Sequence, residues 1–532
     1  MYSNQKFSDF TKRDFLTRIG MVAGTSAMMT AMAGWDRAMA STMTEPPKMS
    51  SEGKGKKILI LGAGISGLVC AMELIKKGYE VNILEAKDHS GGRCMTARKG
   101  TVIEDVGGER QVCDFENNQY LNVGPWRIPP EHHSTIYYCK TLGIELEPFV
   151  NKAFSAYYHQ SKGEGPLVGK SLRQSDIDID RSGHVAELLA KCVNDGFLDQ
   201  KLTKEDQERL LDYLKSTGLI DRRELNYRAN LARGWENTPT VGNDMGKLSD
   251  PYKLTDLLEI KLGAGHEERD HPPMMFQPKG GMDHIPRAME AELPNGTIRF
   301  NSEITEIKQS DNNVSVTYKD TKSGEVETAT ADYAISCLIF PVLNKIKTDF
   351  RDDVIAGLRA PSSSPIVKNG LQFSERFWET REEIYGGITA NDFDESGTIS
   401  YPSSEFFSDK TGVLLTSYAR RGGAIKLGNK SIADRIETSL GIGEQIHPEY
   451  FRKYFNGKGI SMAWHKQKYA LAAWVNWSRR NIGLKMPPLM VGESRVLFSG
   501  NGMAPLHRGW MFAAIEAAWH SIEDLDKRVA KD

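Results

Sequence analysis

One unbroken run near the start of the chain, KKILILGAGISGLVCAMELIKKGYEVNILEA, restricts the fold more than anything else in the sequence. Lys57–Leu61 reads as a buried strand, Leu68–Lys77 as a helix stopped by Gly78, and Tyr79–Leu84 as a second, alternating strand ending at Glu85. Between the first strand and the helix stand Gly62, Gly64 and Gly67. GxGxxG alone is weak. With a strand before it, a helix after it and an acid about twenty residues on, it is the dinucleotide fingerprint of a doubly wound α/β sheet. The backbone of Gly62, Ala63, Gly64, Ile65, Ser66 and Gly67 would approach a pyrophosphate at the helix N-terminus. Glu85, with Ala86 beside it, would accept hydrogen bonds from a ribose.

HSGGRCMTAR follows, and Gly91-Gly92-Arg93 brings pliable backbone and a cation to the ligand a second time, which a nicotinamide site does not require. No second GxGxxG occurs downstream, so the expected reductant is the organic substrate. At the far end, SRVLFSGNGMAPLHRGWMFAAIEAAWHSI gives a strand over Arg495–Ser499 and a loop over Gly500–Gly509. From Trp510 onward it gives a helix with Phe512, Ile515, Trp519 and Ile522 at core-facing spacing. That assigns the helix stripe to packing and the loop to function. GPWRIPP holds one arginine, Arg127, between Trp126 and a proline pair. Prolines stiffen the backbone, and a guanidinium grips a carboxylate bidentately. Read alone, the segment is more simply a surface loop in which Arg127 pairs with a nearby glutamate.

At 532 residues the chain exceeds one core and is expected to hold two or three domains. The net charge of -2 gives no general attraction to nucleic acid. Six cysteines (Cys70, Cys94, Cys113, Cys139, Cys192, Cys337) show neither CxxC nor metal-ligand spacing, so buried thiols and no metal are expected. The N-terminus has Lys12-Arg13, Phe15-Leu16, a weakly apolar Ala/Met/Gly run and Ala38-Met39-Ala40. This resembles a twin-arginine export signal with Lys in the first position, and an amphipathic helix that stays on is the alternative. Export to the periplasm or medium is therefore expected, with a membrane tether if the signal is uncleaved. No later stretch is long and apolar enough to span a membrane.

The glycine motifs at both ends, with GPWRIPPEHH, QPKGGMDHIPRAM, IVKNGLQFSERFWE, ISYPSSEF and YALAAWVNW between them, resemble the FAD-dependent flavin amine oxidases, and most closely bacterial L-amino-acid oxidases. The resemblance runs from about Lys57 to Ile522 and is weakest between Gln160 and Asp270. It implies an α/β fold with an α+β substrate domain. The expected parts are an FAD-binding Rossmann-like domain from discontinuous segments (57–130, 263–345 and 461–532), a helical/substrate insertion (131–262) and a mixed-sheet substrate-binding domain (346–460). A signal (1–40) and a linker (41–56) would precede them.

For the cofactor, the resemblance implies FAD held by the residues above and by Gly124, Pro125, Trp126, Arg127, the backbone of Ile304, Gly500, Asn501, Gly509, Trp510 and Met511. Asn501 stands where the family has Glu or Asp. The last cysteine, Cys337, lies far upstream of the C-terminal region where monoamine oxidases attach their flavin, so the FAD is expected to be noncovalent. For the substrate, it implies that Arg127 and Tyr401 hold a carboxylate and that Gly509 and Trp510 lie near the amino group. Lys368, nine residues before Phe377-Trp378, would hold a water against flavin N5 and help reoxidation. Trp474 reads equally as pocket wall or core, while His507 reads as a structural histidine sooner than as a base for the ammonium. The implied reaction is oxidative deamination of an L-amino acid by hydride transfer to the flavin, with O2 as acceptor, yielding 2-oxo acid, ammonia and H2O2. Trp126, Trp474 and Trp510 suggest apolar or aromatic side chains. Rivals are a monoamine or polyamine oxidase, an amino-acid 2-monooxygenase, a quinone-linked dehydrogenase and a non-catalytic flavin module. Oligomeric state is not readable, and a homodimer is compatible.

Overall fold

A computed structural model describes residues 43–531, apart from 51, 52, 54, 229–232, 241, 243, 264–270, 409, 410 and 505–508. The expected signal over 1–40 and His507 lie outside the described residues.

Five parallel strands form the nucleotide-binding sheet, in the order Ile298–Arg299, Glu80–Leu84, Lys57–Leu61, Tyr333–Ser336, Val496–Phe498. They come from four distant parts of the chain, so the domain is discontinuous. The first helix, Ile65–Lys76, starts inside the glycine motif, three residues earlier than its periodicity suggested. It packs beside the C-terminal helix Met511–Val529, whose Ile515, Trp519 and Ile522 are fully buried. An apolar core joins Leu59, Leu61 and Phe498 of the sheet to Ile307, Val314 and Val316 of the antiparallel pair Ser302–Gln309 and Val314–Asp320.

The second large sheet has seven strands and is mixed. Its order is Phe455–Ala463, Ile366–Phe373, Gly412–Arg420, Thr398–Ser400, Ile388–Asn391, Tyr157–His159, Ser171–Arg173. Two strands of the expected insertion thus belong to the substrate sheet, and the expected boundary at 460/461 falls inside a strand. Both corrections have one cause: sheet pairing is non-local, and no local pattern in Tyr157–His159 names its partner. The rest of the insertion includes the helices Gln174–Asn194, Lys204–Ser216 and Leu254–Glu259. The second half of the expected linker is held in place: Ser50 donates to Asp526, and the Met49 carbonyl accepts from Lys77. All six cysteines are free thiols, and Cys70, Cys94, Cys113 and Cys139 are buried. No described helix is long and apolar enough to cross a membrane.

Candidate active site

A cavity of about 1010 Å³ runs from the first glycine turn to the substrate sheet, at the upper end of the size range of ligand sites. At one end, Gly62 adopts φ 101°, open to glycine at little cost, and a Cβ on Gly67 would lie 2.0 Å from the Gly62 carbonyl oxygen. Gly67 is therefore what lets the helix close against the strand. A Cβ on Gly64 would meet nothing within 4 Å, because that residue faces the cavity. No side chain caps the helix that begins there, so its first N–H groups are left for an anion. Glu85, 8% exposed, accepts from the backbone N–H of Ala63 (2.8 Å) and Lys87 (2.9 Å) and keeps further acceptor capacity toward the cavity. Gly91 pairs with Gly64 through its N–H to the Ala63 carbonyl at 2.8 Å, which brings Gly92 and Arg93 onto the same wall.

Farther along, Asn501 lines the cavity, and its buried Oδ1 has no hydrogen-bond partner, as a ribityl hydroxyl would require. Ile304 lies at a bulge in its strand and lines the opposite end with Ser302 and Thr305. Gly500, just past the strand Val496–Phe498, and Gly509, Trp510 and Met511, at the start of the C-terminal helix, complete the bed. A dinucleotide flavin fits these residues. Two expected contacts are corrected: Ala63 and Gly67 do not line the cavity. One supports Glu85 and the other permits the helix–strand contact.

The substrate end is built on Gly124–Arg127. Gly124 is pressed against Arg93, since a Cβ there would lie 2.0 Å from the Arg93 carbonyl oxygen. Ile128 exchanges hydrogen bonds with Phe276 at 2.7 and 2.9 Å, which fixes the other side of the segment. Lys368, on the fully buried strand Ile366–Phe373, donates to the carbonyls of Gly124 and Asn122. Its ammonium lies 4.4 Å from the Trp126 ring and 4.8 Å from the Tyr418 ring. Burial, with like charge from Arg127 and Arg420, pushes Lys368 well below its ordinary range. Arg127 is half-buried, stacks on Trp126 at 4.8 Å and reaches Trp510 at 5.9 Å. Burial lowers it to about 10, so it is cationic at neutral pH. The hydrogen bond recorded for it goes to a neutral amide oxygen, Asn151 Oδ1. This is no loop arginine paired with a glutamate. Trp474 lies on the cavity wall, where its ring would be 3.3 Å from a Cβ on Gly509.

Tyr401 is a correction. It is 1% exposed and packs among Phe373, Phe377 and Phe451. Its hydroxyl shares hydrogen bonds with Thr389 (2.7 Å) and His447 (2.9 Å), so it cannot share a carboxylate with Arg127. Strand register is the reason. The residue paired with Lys368 across the sheet is Tyr418, which stands on the cavity wall with its ring 4.9 Å from Trp126. Sequence reasoning missed Tyr418, its neighbour Arg420, Asn151 and His271. The alternation of the strand Gly412–Arg420 puts Tyr418 and Arg420 on one face and was a usable signal. His271 lines the cavity beside Trp510, with ring centroids 5.4 Å apart, and Asn151 follows the strand Leu146–Val150; neither sits in a recognisable local pattern.

The profile of the family described as flavin containing amine oxidoreductase matches residues 65–522. An L-amino-acid oxidase of Sistrurus catenatus edwardsii is 25% identical over 485 residues, covering 89% of this chain and 87% of its own length. A putative L-amino-acid oxidase, YobN, of Bacillus subtilis (strain 168) is 24% identical, covering 88% and 94%. Among solved structures, cyclohexylamine oxidase from Brevibacterium oxydans IH-35A superposes with TM-score 0.59 at 14% identity, over 89% of this chain and 99% of the other. Putrescine oxidase bound to putrescine superposes with TM-score 0.57 at 15% identity, over 90% and 99%. At these identities the two structures speak to the fold alone.

Proposed function

The chain belongs to the flavin-containing amine oxidoreductases, enzymes acting on amino groups, and from that premise we propose that it is an FAD-dependent L-amino-acid oxidase. The observation that carries the reading is Arg127: a cation held on two aromatic rings inside the cavity, with a neutral amide for its hydrogen-bond partner. A guanidinium so placed suits a substrate carboxylate, which a simple amine lacks. The curated relatives named L-amino-acid oxidase support the same choice. Noncovalent FAD is favoured by the absence of a cysteine beyond Cys337.

Bound flavin would supply the two-electron acceptor for the hydride leaving the substrate Cα, with O2 as the final acceptor. The chain supplies orientation. Arg127 fixes the α-carboxylate, with the Tyr418 hydroxyl on the adjacent ring, and Trp474, Gly509 and Trp510 close the wall against water. Holding a reactant in one geometry is worth roughly 7–11 kcal/mol in the best intramolecular cases. Lys368 Nζ, biased toward its neutral form, can accept a proton beside the reacting centre and return it. Export by a twin-arginine-like signal remains part of the proposal, on the strength of the N-terminal sequence.

The test is anaerobic mixing of the yellow protein with an L-amino acid, its D-enantiomer and the corresponding decarboxylated amine. Bleaching by the L-amino acid alone, followed in air by equal yields of 2-oxo acid and H2O2, is expected. Faster bleaching by the amine would make the chain an amine oxidase. An amide product would make it a monooxygenase, and turnover in air without peroxide would point to a quinone-linked dehydrogenase.

A further inference from the structure

The substrate end carries more positive charge than one carboxylate can neutralise. Lys368, Arg127 and Arg420 all line the cavity, and each of the two arginines depresses the protonation of the lysine. Arg420 lies on the Tyr418 ring at 4.5 Å, and its guanidinium makes no hydrogen bond or ion pair with any described residue. It is exposed at the end of its strand, so its guanidinium is free to meet a ligand. Tyr418 and Trp126 are neighbouring rings, 4.9 Å apart, with Arg420 on the first and Arg127 on the second. Each guanidinium can therefore take its own carboxylate.

The acids on the cavity wall among the described residues are Glu85 and Glu303, and both are committed elsewhere. Glu85 holds the backbone N–H groups of Ala63 and Lys87, and Glu303 pairs with Lys468 at 2.8 Å. Neither is recorded against Arg420, Arg127 or Lys368. A neutral amino acid would place one α-carboxylate on Arg127 and leave a second guanidinium without a counter-charge. A basic side chain would add a further like charge.

Resting on the L-amino-acid reading above, we propose that the preferred substrates carry an acidic side chain, L-glutamate or L-aspartate, with Arg420 receiving the side-chain carboxylate while Arg127 receives the α-carboxylate. Arg420 is then the residue that sets specificity, and the aromatic rings serve to hold the two guanidiniums apart and in place.

The discriminating experiment compares isosteric pairs, L-glutamate with L-glutamine and L-aspartate with L-asparagine, in the parent enzyme and in Arg420→Gln and Arg420→Lys. The parent is expected to favour the acid by kcat/KM. In Arg420→Gln the acid-to-amide ratio should fall by about 10- to 100-fold, the worth of one charge-assisted hydrogen bond, and in Arg420→Lys it should recover in part. A parent enzyme that turns over the amides as well as the acids overturns the inference. So does an Arg420→Gln variant that slows acid and amide alike, since that would mean only general steering of anions. If no L-amino acid reduces the flavin, the oxidase reading itself falls. If L-leucine or L-glutamine reduces it and L-glutamate and L-aspartate do not, the oxidase stands and the acidic preference is lost.

Discussion

Replacing Arg127 by methionine removes the guanidinium but keeps much of the stem that lies against Trp126 and Trp510. In the free protein that guanidinium has a neutral acceptor in Asn151 and like-charged neighbours in Lys368 and Arg420. The resting structure therefore loses one hydrogen bond together with the repulsion from those neighbours, and its stability should change by no more than about 1 kcal/mol. The substrate complex loses far more. Removing one partner of a buried, hydrogen-bonded charge pair costs about 2–5 kcal/mol, or about 30- to 5,000-fold in kcat/KM for an L-amino acid. Oxidation of the corresponding decarboxylated amine, which makes no such contact, should not fall with it. Stopped-flow flavin reduction under nitrogen, with peroxide release in air, measures both, and the flavin absorbance with the thermal midpoint shows that the protein is intact. Amino-acid turnover within a factor of about 3 of the parent, at unchanged KM and with flavin bound, would show that the carboxylate is held elsewhere.

Gly67→Ala should yield protein that purifies with little or no flavin, because a Cβ 2.0 Å from the Gly62 carbonyl forces helix and strand apart; flavin absorbance per chain is the readout. Lys368→Met should leave anaerobic reduction by substrate nearly intact and slow reoxidation by O2 by about 100-fold or more, the low end of positioned proton transfer. The same variant tests the buried ammonium by pH. Lys368 binds its proton less tightly in the native than in the unfolded state. Between the depressed native pKa and the ordinary lysine value the unfolded chain holds more protons, so parent stability gains with rising pH from this group; Lys368→Met should lack that gain in midpoints measured across the window. Asp105→Asn should lower the thermal midpoint sharply. It leaves the fully buried Arg435 without the carboxylate it meets at 2.6 Å, a loss of about 3–5 kcal/mol, and flavin binding at the far glycine turn should persist.

The two flavin-binding ends were legible because each rests on local backbone requirements. Gly62 needs a positive φ, Gly67 has no room for a side chain, and Glu85 ends the strand beside them. Such demands are written at fixed spacing and survive without knowledge of the rest of the fold. Lys368 and Arg127 were legible only through resemblance, since a lysine on a strand or an arginine between a tryptophan and prolines has several ordinary explanations. Tyr401 and Tyr418 show the limit. Tyr418 sits on the strand Gly412–Arg420 and Tyr401 just past the strand Thr398–Ser400 of the same mixed sheet, and what decides between them is that residue 418, not 401, is paired with Lys368. Register between segments fifty residues apart is set by the whole sheet and cannot be read from either segment alone. His271 reaches the cavity, and Asn151 reaches Arg127, from connections, where no periodicity exists to mark them.

Charge was the other property that local reading could not sum. Trp126, Trp474 and Trp510 suggested a pocket for apolar side chains, which is a fair inference from aromatic residues with no known neighbours. In the fold, Trp126 and Trp510 both lie against Arg127, and Trp126 and Tyr418 enclose Lys368. Cation–π contact is worth about 0.5–2 kcal/mol per pair as water is excluded, which offsets part of the cost of holding Arg127 and Arg420 in one cavity beside Lys368. The rings thus do two things: they shape the pocket, and they let positive charge persist there until an anion arrives. A cavity built that way binds its ligand by neutralisation as much as by apolar contact, so raised salt should weaken substrate binding more than it weakens the fold.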